Sequence, residues 1–243
     1  MEIFEENPKD WKDLQDKVAY VLQNCGYIVV SPKTINSLRG NVELDVYAYN
    51  EYFSIACECK NWNSNIPQNV VFSFRTILFE LGINKGLIIA KKGFQNGAYN
   101  QIKDTNISLF TWEEFLNFYK KDFLNTKIKN FLKYRSKLYR ISADKREYWE
   151  YTDNLTLENQ ALVFKLQDQL FKVSSFYFSI VIRLGYEQDV SVENIDMEIK
   201  KYLEENHLEI KSYSRFFEYI DDSIRNIIVK LERLYGINLL DFK

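Results

Sequence analysis

Four polar side chains in one short stretch could do chemistry together: Glu43, Asp45, Glu58 and Lys60. Asn41 to Tyr49 alternates, with Val42, Leu44 and Val46 on one side and Glu43 and Asp45 on the other. Tyr52 to Lys60 alternates too, Ile55, Cys57 and Cys59 opposing Glu58 and Lys60. Such period-two runs around a polar pair, Asn50-Glu51, predict a β-hairpin. Symmetric closure of that turn sets Glu58 across from Glu43, Ala56 across from Asp45 and Cys57 across from Leu44, so all four polar groups share a face. A slip of one residue would bury the acids of one strand. Carboxylates and an ammonium on one face can hold a divalent metal and a water beside a phosphate. Asp45 and Glu58 are the candidate metal ligands, with the backbone carbonyl of Cys59 as a third oxygen. Lys60 is placed to orient or activate the attacking water and to meet developing negative charge. Glu43 extends the site or tunes it. The alternative is a hairpin whose wet face happens to be acidic.

The elements that must position these residues can be read from patterning. Helix is predicted at 9–24, strand at 27–31, the hairpin strands at 41–49 and 52–60, and helix at 67–82 with Pro67 in its first turn. Strand 86–90, a short helix 96–103 and strand 107–110 follow. Thr111 suits the cap of a helix starting at Trp112, with Glu113 and Glu114 near its positive end. Beyond it the pattern is helical, with a break around 142–155 and helices at 157–184, 190–205 and 212–235. The prolines (Pro8, Pro32 and Pro67) and all glycines but Gly185 and Gly236 precede Ala98, so punctuation thins sharply in the second half. Phe176, Tyr177 and Phe178 point in several directions around one helix, which predicts burial on more than one side.

The ordered segments resemble the PD-(D/E)xK nucleases, and within them the Mrr-like restriction endonucleases. Gly40-Asn41-Val42-Glu43-Leu44-Asp45-Val46-Tyr47 followed by Ile55-Ala56-Cys57-Glu58-Cys59-Lys60-Asn61-Trp62 is the core of the likeness. Trp11, Leu14, Val18, Leu22 and Gly26-Tyr27-Ile28-Val29 resemble the family's opening helix and first strand. Val71, Phe74 and Arg75 resemble the following helix, Lys85 to Ala90 the next strand, and Ile107-Ser108-Leu109 with Trp112-Glu113 the closing strand and helix. The likeness covers about residues 8–118. It implies an α/β, restriction-endonuclease-like core, a central mixed β-sheet flanked by helices, over residues 1–118; the all-α region over 119–243 is read from its helical periodicity and resembles no known motif. The likeness also implies Asp45, Glu58 and Lys60 as the catalytic triad, duplex DNA as substrate and Mg²⁺ as cofactor, with Mn²⁺ able to substitute. Two departures stand out. Where many relatives carry an acid on the first helix, this chain has Leu14-Gln15. Gln15 can offer a carbonyl oxygen but no charge, an auxiliary role that argues against a second metal. Ala90-Lys91-Lys92 replaces the small hydroxyl residues often found there.

Composition narrows the remaining classes. With 243 residues, 46% hydrophobic and 16% aromatic, the chain can form one large domain or two modest ones and is not disordered. The most apolar stretch, Val173 to Leu184, contains serines and Arg183 and is too short to span a bilayer, so no membrane association is expected. No leader is read in the acidic, polar opening. Three cysteines, an odd number, fit a reducing cytoplasm, and Cys57-x-Cys59 lacks the second pair zinc needs. One histidine, His207, leaves histidine-based nucleases and Ser-His-Asp hydrolases without a site. The net charge is −2, but residues 120–146 hold ten basic side chains against Asp122 and Asp144, interleaved with Phe131, Tyr134 and Tyr139. That segment reads either as a phosphate-contacting helix or as a solvated face paired with acids behind it. Arg75, Lys91, Lys92, Lys127, Lys133 and Arg135 are the candidate nucleic-acid contacts.

The leading expectation is therefore a metal-dependent endonuclease that cuts DNA, in restriction of foreign or modified DNA. Alternatives keep the site but take branched DNA or RNA, or keep the fold for binding alone, or hold the enzyme inactive with a regulatory protein partner. One centre cuts one strand, so double-strand cleavage calls for two copies, and the helical region is a candidate homodimer contact.

Overall fold

The computed structural model describes residues 1–37, 40–144, 146–184 and 191–239. The chain divides into two units, Glu6–Thr126 and Met1–Glu5 with Lys127–Lys243. The division expected at 118 and the one observed both fall inside the same helix.

The first unit is ordered by a bent antiparallel pair. Helix α1 (Trp11–Asn24) leads into strands β1 (Ile28–Val30) and β2 (Lys33–Ser37), then β3 (Gly40–Leu44) and β4 (Val46–Tyr49). Val30 lies opposite Tyr47, and Lys33 opposite Leu44, so the register runs unbroken through the bend and sets Ser31 and Pro32 across from Val46 and Asp45. Proline brings no amide hydrogen to the ladder, so pairing lapses there. The outer half, β2–β3, becomes a separate two-stranded ribbon, and the inner half joins a five-stranded sheet of order β1-β4-β5-β6-β7. Its further strands are β5 (Ser54–Lys60), β6 (Lys85–Ala90) and β7 (Ile107–Thr111). β4 runs antiparallel to both of its neighbours, β1 and β5, while β5, β6 and β7 run parallel.

The hairpin that carries Asp45, Glu58 and Lys60 differs in two respects from the expected one. The strand predicted over 41–49 is two strands, parted at Asp45, and β3 pairs with β2, so Glu43 faces Thr34 and not Glu58. The register of β4 against β5 is also shifted by two: Val46 pairs with Cys57 and Tyr49 with Ser54. The cause is a longer turn. Asn50 Oδ1 accepts from the amides of both Tyr52 (3.0 Å) and Phe53 (2.9 Å), which keeps those residues out of the strand. Ser54 is then pinned by Asn84, whose Oδ1 takes its amide at 2.8 Å. A shift of two preserves which face each side chain takes, so the expected company of Asp45 with Glu58 and Lys60 survives.

Helices cover both sides of this sheet. α2 (Gln68–Leu81) and α3 (Asn96–Gln101) bury Val71, Phe74, Leu78 and Ala98 against Leu44, Ala56, Ile88 and Ala90. Pro67 sits one place earlier than expected, at the cap of α2. Gly86 lets α2 approach β6 closely, since a β-carbon there would stand 2.2 Å from Leu78 and 2.9 Å from Phe74. On the other side α1 buries Leu14, Val18, Val21 and Leu22, the one-face spacing of an amphipathic helix. The first turns of α4 (Trp112–Leu132) join it, Tyr20 meeting Phe123 at 6.2 Å. Thr111 and Glu114 close a capping box at the start of α4: the Glu114 amide donates to Thr111 Oγ1 (3.3 Å), and Glu114 Oε2 accepts from the Thr111 amide (2.7 Å).

The second unit is helical. The end of α4 is followed by α5 (Arg135–Tyr139), a π turn at Arg140–Asp144, a 3-10 turn at Arg146–Tyr148 and α6 (Trp149–Asp153). α7 (Leu157–Leu184), α8 (Val192–Glu205) and α9 (Tyr213–Tyr235) complete it. Phe176 packs edge-on to Phe216 at 4.8 Å, and Tyr177 stacks on Phe131 at 3.7 Å, so those aromatics are core. The basic segment is not one helix, because the amides of Lys133 and Tyr134 turn back onto the carbonyls of Asn130 and Phe131 and end α4. Among the described residues no helix is long and apolar enough to cross a membrane.

Candidate active site

Asp45 stands at the break in the bent pair, one step beyond the last rung Val46–Cys57 and so across from Glu58. Having left the ladder, its peptide is held by side chains. Gln15 Nε2 donates to the Asp45 carbonyl at 2.5 Å, and Ser31 Oγ donates to the same oxygen at 2.8 Å. Gln15 is only 2% exposed, and its amide also donates to Ser31 Oγ at 3.0 Å. The Asp45 carboxylate replaces the missing strand, with Oδ2 accepting from the Cys59 amide at 2.7 Å. Its position is therefore fixed at both ends, by α1 and by β5.

Glu58 and Lys60 project from β5 on the side of Ala56, opposite Ile88 and Ala90 of β6. They form an ion pair, with both side chains mostly covered. Burial pushes the Glu58 carboxyl above its ordinary range; the Lys60 ammonium pulls it back, and the charge of Asp45 adds to the rise. Lys60 also lies 5.8 Å from the centre of the Trp62 ring. The Lys60 carbonyl is taken by the Lys91 amide on the β6 side. Carbonyls alternate along a strand, so that of Cys59 turns the other way, towards Asp45. Burial pushes the Cys57 and Cys59 thiols up.

Among the described residues no group of three or more His, Cys, Asp or Glu side chains is spaced to hold a metal ion. The oxygens present are the carboxylates of Asp45 and Glu58 and the carbonyl of Cys59. That hard, short set suits Mg²⁺, which retains several waters and needs few protein ligands, and it does not suit zinc.

An open cleft of about 520 Å³ lies over this point, lined by Lys9, Asp10, Trp11, Asp45, Cys59, Lys60, Asn61, Trp62, Asn63 and Lys91. Lys91 Nζ donates to Asn63 at 2.9 Å. A second hollow shares Asn61 and Lys91 and adds Lys92, Thr111 and Trp112. Asn61 Oδ1 is buried without a hydrogen-bond partner among the described residues. Of the residues singled out in the sequence, Asp45, Lys60 and Lys91 line this cleft, Glu58 pairs with Lys60, Gln15 holds the Asp45 carbonyl, and Lys92 borders the adjoining hollow. Glu43 is exposed on the β2–β3 ribbon and does not line the cleft. Arg75 lies along α2 over the Phe72 ring, 5.5 Å from its centre.

Lys127 and Lys133 belong to the helical unit. Lys127 is 3.7 Å from Asp221 and rests over Phe217, its side chain only 15% exposed, while Lys133 is exposed in the turn after α4. Arg140 pairs with Glu147 and Arg146 with Asp144, so much of the basic run is matched locally. The side chain of Arg135, and Lys145 altogether, lie outside the described residues. Ser31, Lys9, Asp10 and Asn61 escaped the sequence reading. Pro32, one residue past the predicted strand 27–31, was the signal that could have located Ser31, because it marks the bend.

The restriction endonuclease family of Mrr catalytic type matches residues 8–119. No curated protein matches the sequence. Among solved structures, a protein of unknown function, AF1548, is similar with a TM-score of 0.42 and 14% identity over 66% of this chain and 98% of that one. The DNA modification-dependent restriction endonuclease AspBHI is similar with a TM-score of 0.25 and 10% identity, over 48% of this chain and 38% of its own. Residues 8–119 thus match the Mrr type of restriction endonuclease domain.

Proposed function

We propose that this domain hydrolyses phosphodiester bonds of DNA with Mg²⁺ held by the carboxylates of Asp45 and Glu58 and the carbonyl of Cys59. A bound Mg²⁺ supplies Lewis acidity towards the phosphate and lowers the pKa of a coordinated water. Lys60 leaves Glu58 to orient the attacking water and to meet charge developing on the phosphate. Gln15 and Ser31 are positioning residues that hold Asp45 at the bend. Lys91 and Lys92 take the flanking phosphates. The observation that carries this reading is that Asp45 and Lys60 line one open cleft, with Glu58 paired to Lys60, inside the stretch that matches the restriction endonuclease family. One such centre nicks one strand, so two copies act together in double-strand cleavage, and restriction of foreign DNA is the role this activity fits.

The test is incubation of plasmid, methylated and unmethylated, and of single-stranded DNA, with the full chain in Mg²⁺, Mn²⁺ or EDTA. Metal-dependent nicking or linearisation is expected. Equal cutting in EDTA, or none of any DNA in either metal, contradicts the proposal.

A further inference from the structure

Two large indoles stand open on the catalytic cleft: Trp11, 64% exposed at the start of α1, and Trp62, 43% exposed just beyond β5. Neither serves the core, since the faces of α1 and β5 that pack are those of Leu14, Val18, Cys57 and Cys59. An exposed tryptophan leaves a large apolar surface in water, and two on one cleft mark a binding surface more than an accident of packing. The same cleft carries Lys9, Lys60 and Lys91 and shares Asn61, whose buried Oδ1 has no hydrogen-bond partner among the described residues, with a second hollow bordered by Lys92. Alternating cations and flat aromatic rings are what a single nucleic-acid strand requires: the cations follow the phosphates, and the rings stack on bases that have left the helix. A paired duplex offers its phosphates to such a cleft but keeps its base faces hidden. The Asn61 oxygen can accept from an exocyclic amine, which is likewise freer on an unpaired base.

We propose that Trp11 and Trp62 stack on unpaired bases next to the scissile phosphate, so that the substrate of this cleft is DNA that is single-stranded or locally opened at the cut. This rests on the reading of the site as a DNA nuclease and narrows its substrate.

Binding of fluorescent oligonucleotides to the full chain in EDTA, where no cleavage occurs, separates the possibilities. The probes are a single strand, a uniform duplex and the same duplex with a central mismatched bubble. Trp62→Ala and Trp11→Ala are expected to weaken binding of the single strand and the bubble by about tenfold or more each, the loss of one stacked base. Binding of the uniform duplex should change less than twofold, and Trp62→Phe should restore most of the loss. Melting curves of the variants confirm folding, which the exposure of both rings favours. Three results overturn the proposal: unchanged binding of all probes, equal loss for all probes, or slower cleavage with unchanged binding. The last would mean that Trp62 serves only to place Lys60. The nuclease reading fails separately: if the wild type cuts no DNA while the tryptophan effect on binding stands, stacking survives and catalysis does not.

Discussion

At the residue scale the account turns on how an aspartate is held where its strand has stopped. Gln15, buried and neutral, donates to the Asp45 carbonyl from α1. Gln15→Ala is expected to weaken Mg²⁺ affinity about 10- to 100-fold, as loss of an orienting partner commonly does. Calorimetric titration of the metal into both proteins checks this, and equal affinities would remove Gln15 from the site. Glu58 gives a prediction in pH. Its carboxyl is raised by burial, so in metal-free protein its ionisation opposes folding. The stability it contributes is full below the ordinary carboxylate range and is lost as pH rises through the raised value. The denaturant midpoint of the wild type relative to Glu58→Gln should therefore climb as pH falls through that window; a flat difference would contradict the burial argument. The common face of Asp45, Glu58 and Lys60 was legible in the sequence because alternation fixes it within each strand and a shift of two residues preserves it. The placement of Glu43 was not, because the lapse at Pro32 and Asp45 divides one alternating run between two sheets.

At the element scale the helices and most strands follow from the sequence, because apolar periodicity and end signals agree. The Asp10 cap of α1 and the Thr111–Glu114 box of α4 are examples. What periodicity could not supply is β2, a short polar strand, Lys33 to Ser37, that exists only because β3 pairs with it. Nor could it supply the two-residue shift, which depends on the Asn50 side chain capturing two amides. The parallel strand β6 sits under α2 through Gly86, where the helix side chains leave no room for a methyl group. Gly86→Ala should destabilise the protein by about 1–3 kcal/mol through overpacking. Chemical denaturation gives the value, and a change below about 0.5 kcal/mol would show that α2 can move aside at little cost.

At the scale of the whole molecule the charges are distributed by unit. The cleft gathers Lys9, Lys60 and Lys91 around two carboxylates, while the basic run that stood out in the sequence lies largely in the helical unit, where Lys127, Arg140 and Arg146 have acidic partners. Pairing of this run with acids was one of the two sequence readings; Asp144 and Glu147 are sequence neighbours of their partners, and only the Lys127–Asp221 pair joins distant positions. A metal that binds only the folded site stabilises it by mass action, so Mg²⁺ at 100 times its dissociation constant should add about 2.7 kcal/mol and raise the melting temperature. The shift should vanish in Glu58→Ala; an equal shift in that variant would place the metal elsewhere. The most direct test of the central claim is the single-turnover cleavage of plasmid in Mg²⁺ by the wild type beside Asp45→Asn and Lys60→Ala. Loss of rate by about 10²–10⁴-fold in Lys60→Ala, and at least as much in Asp45→Asn, is the predicted result. Cleavage by both variants at the wild-type rate would contradict it and move the chemistry away from this cleft.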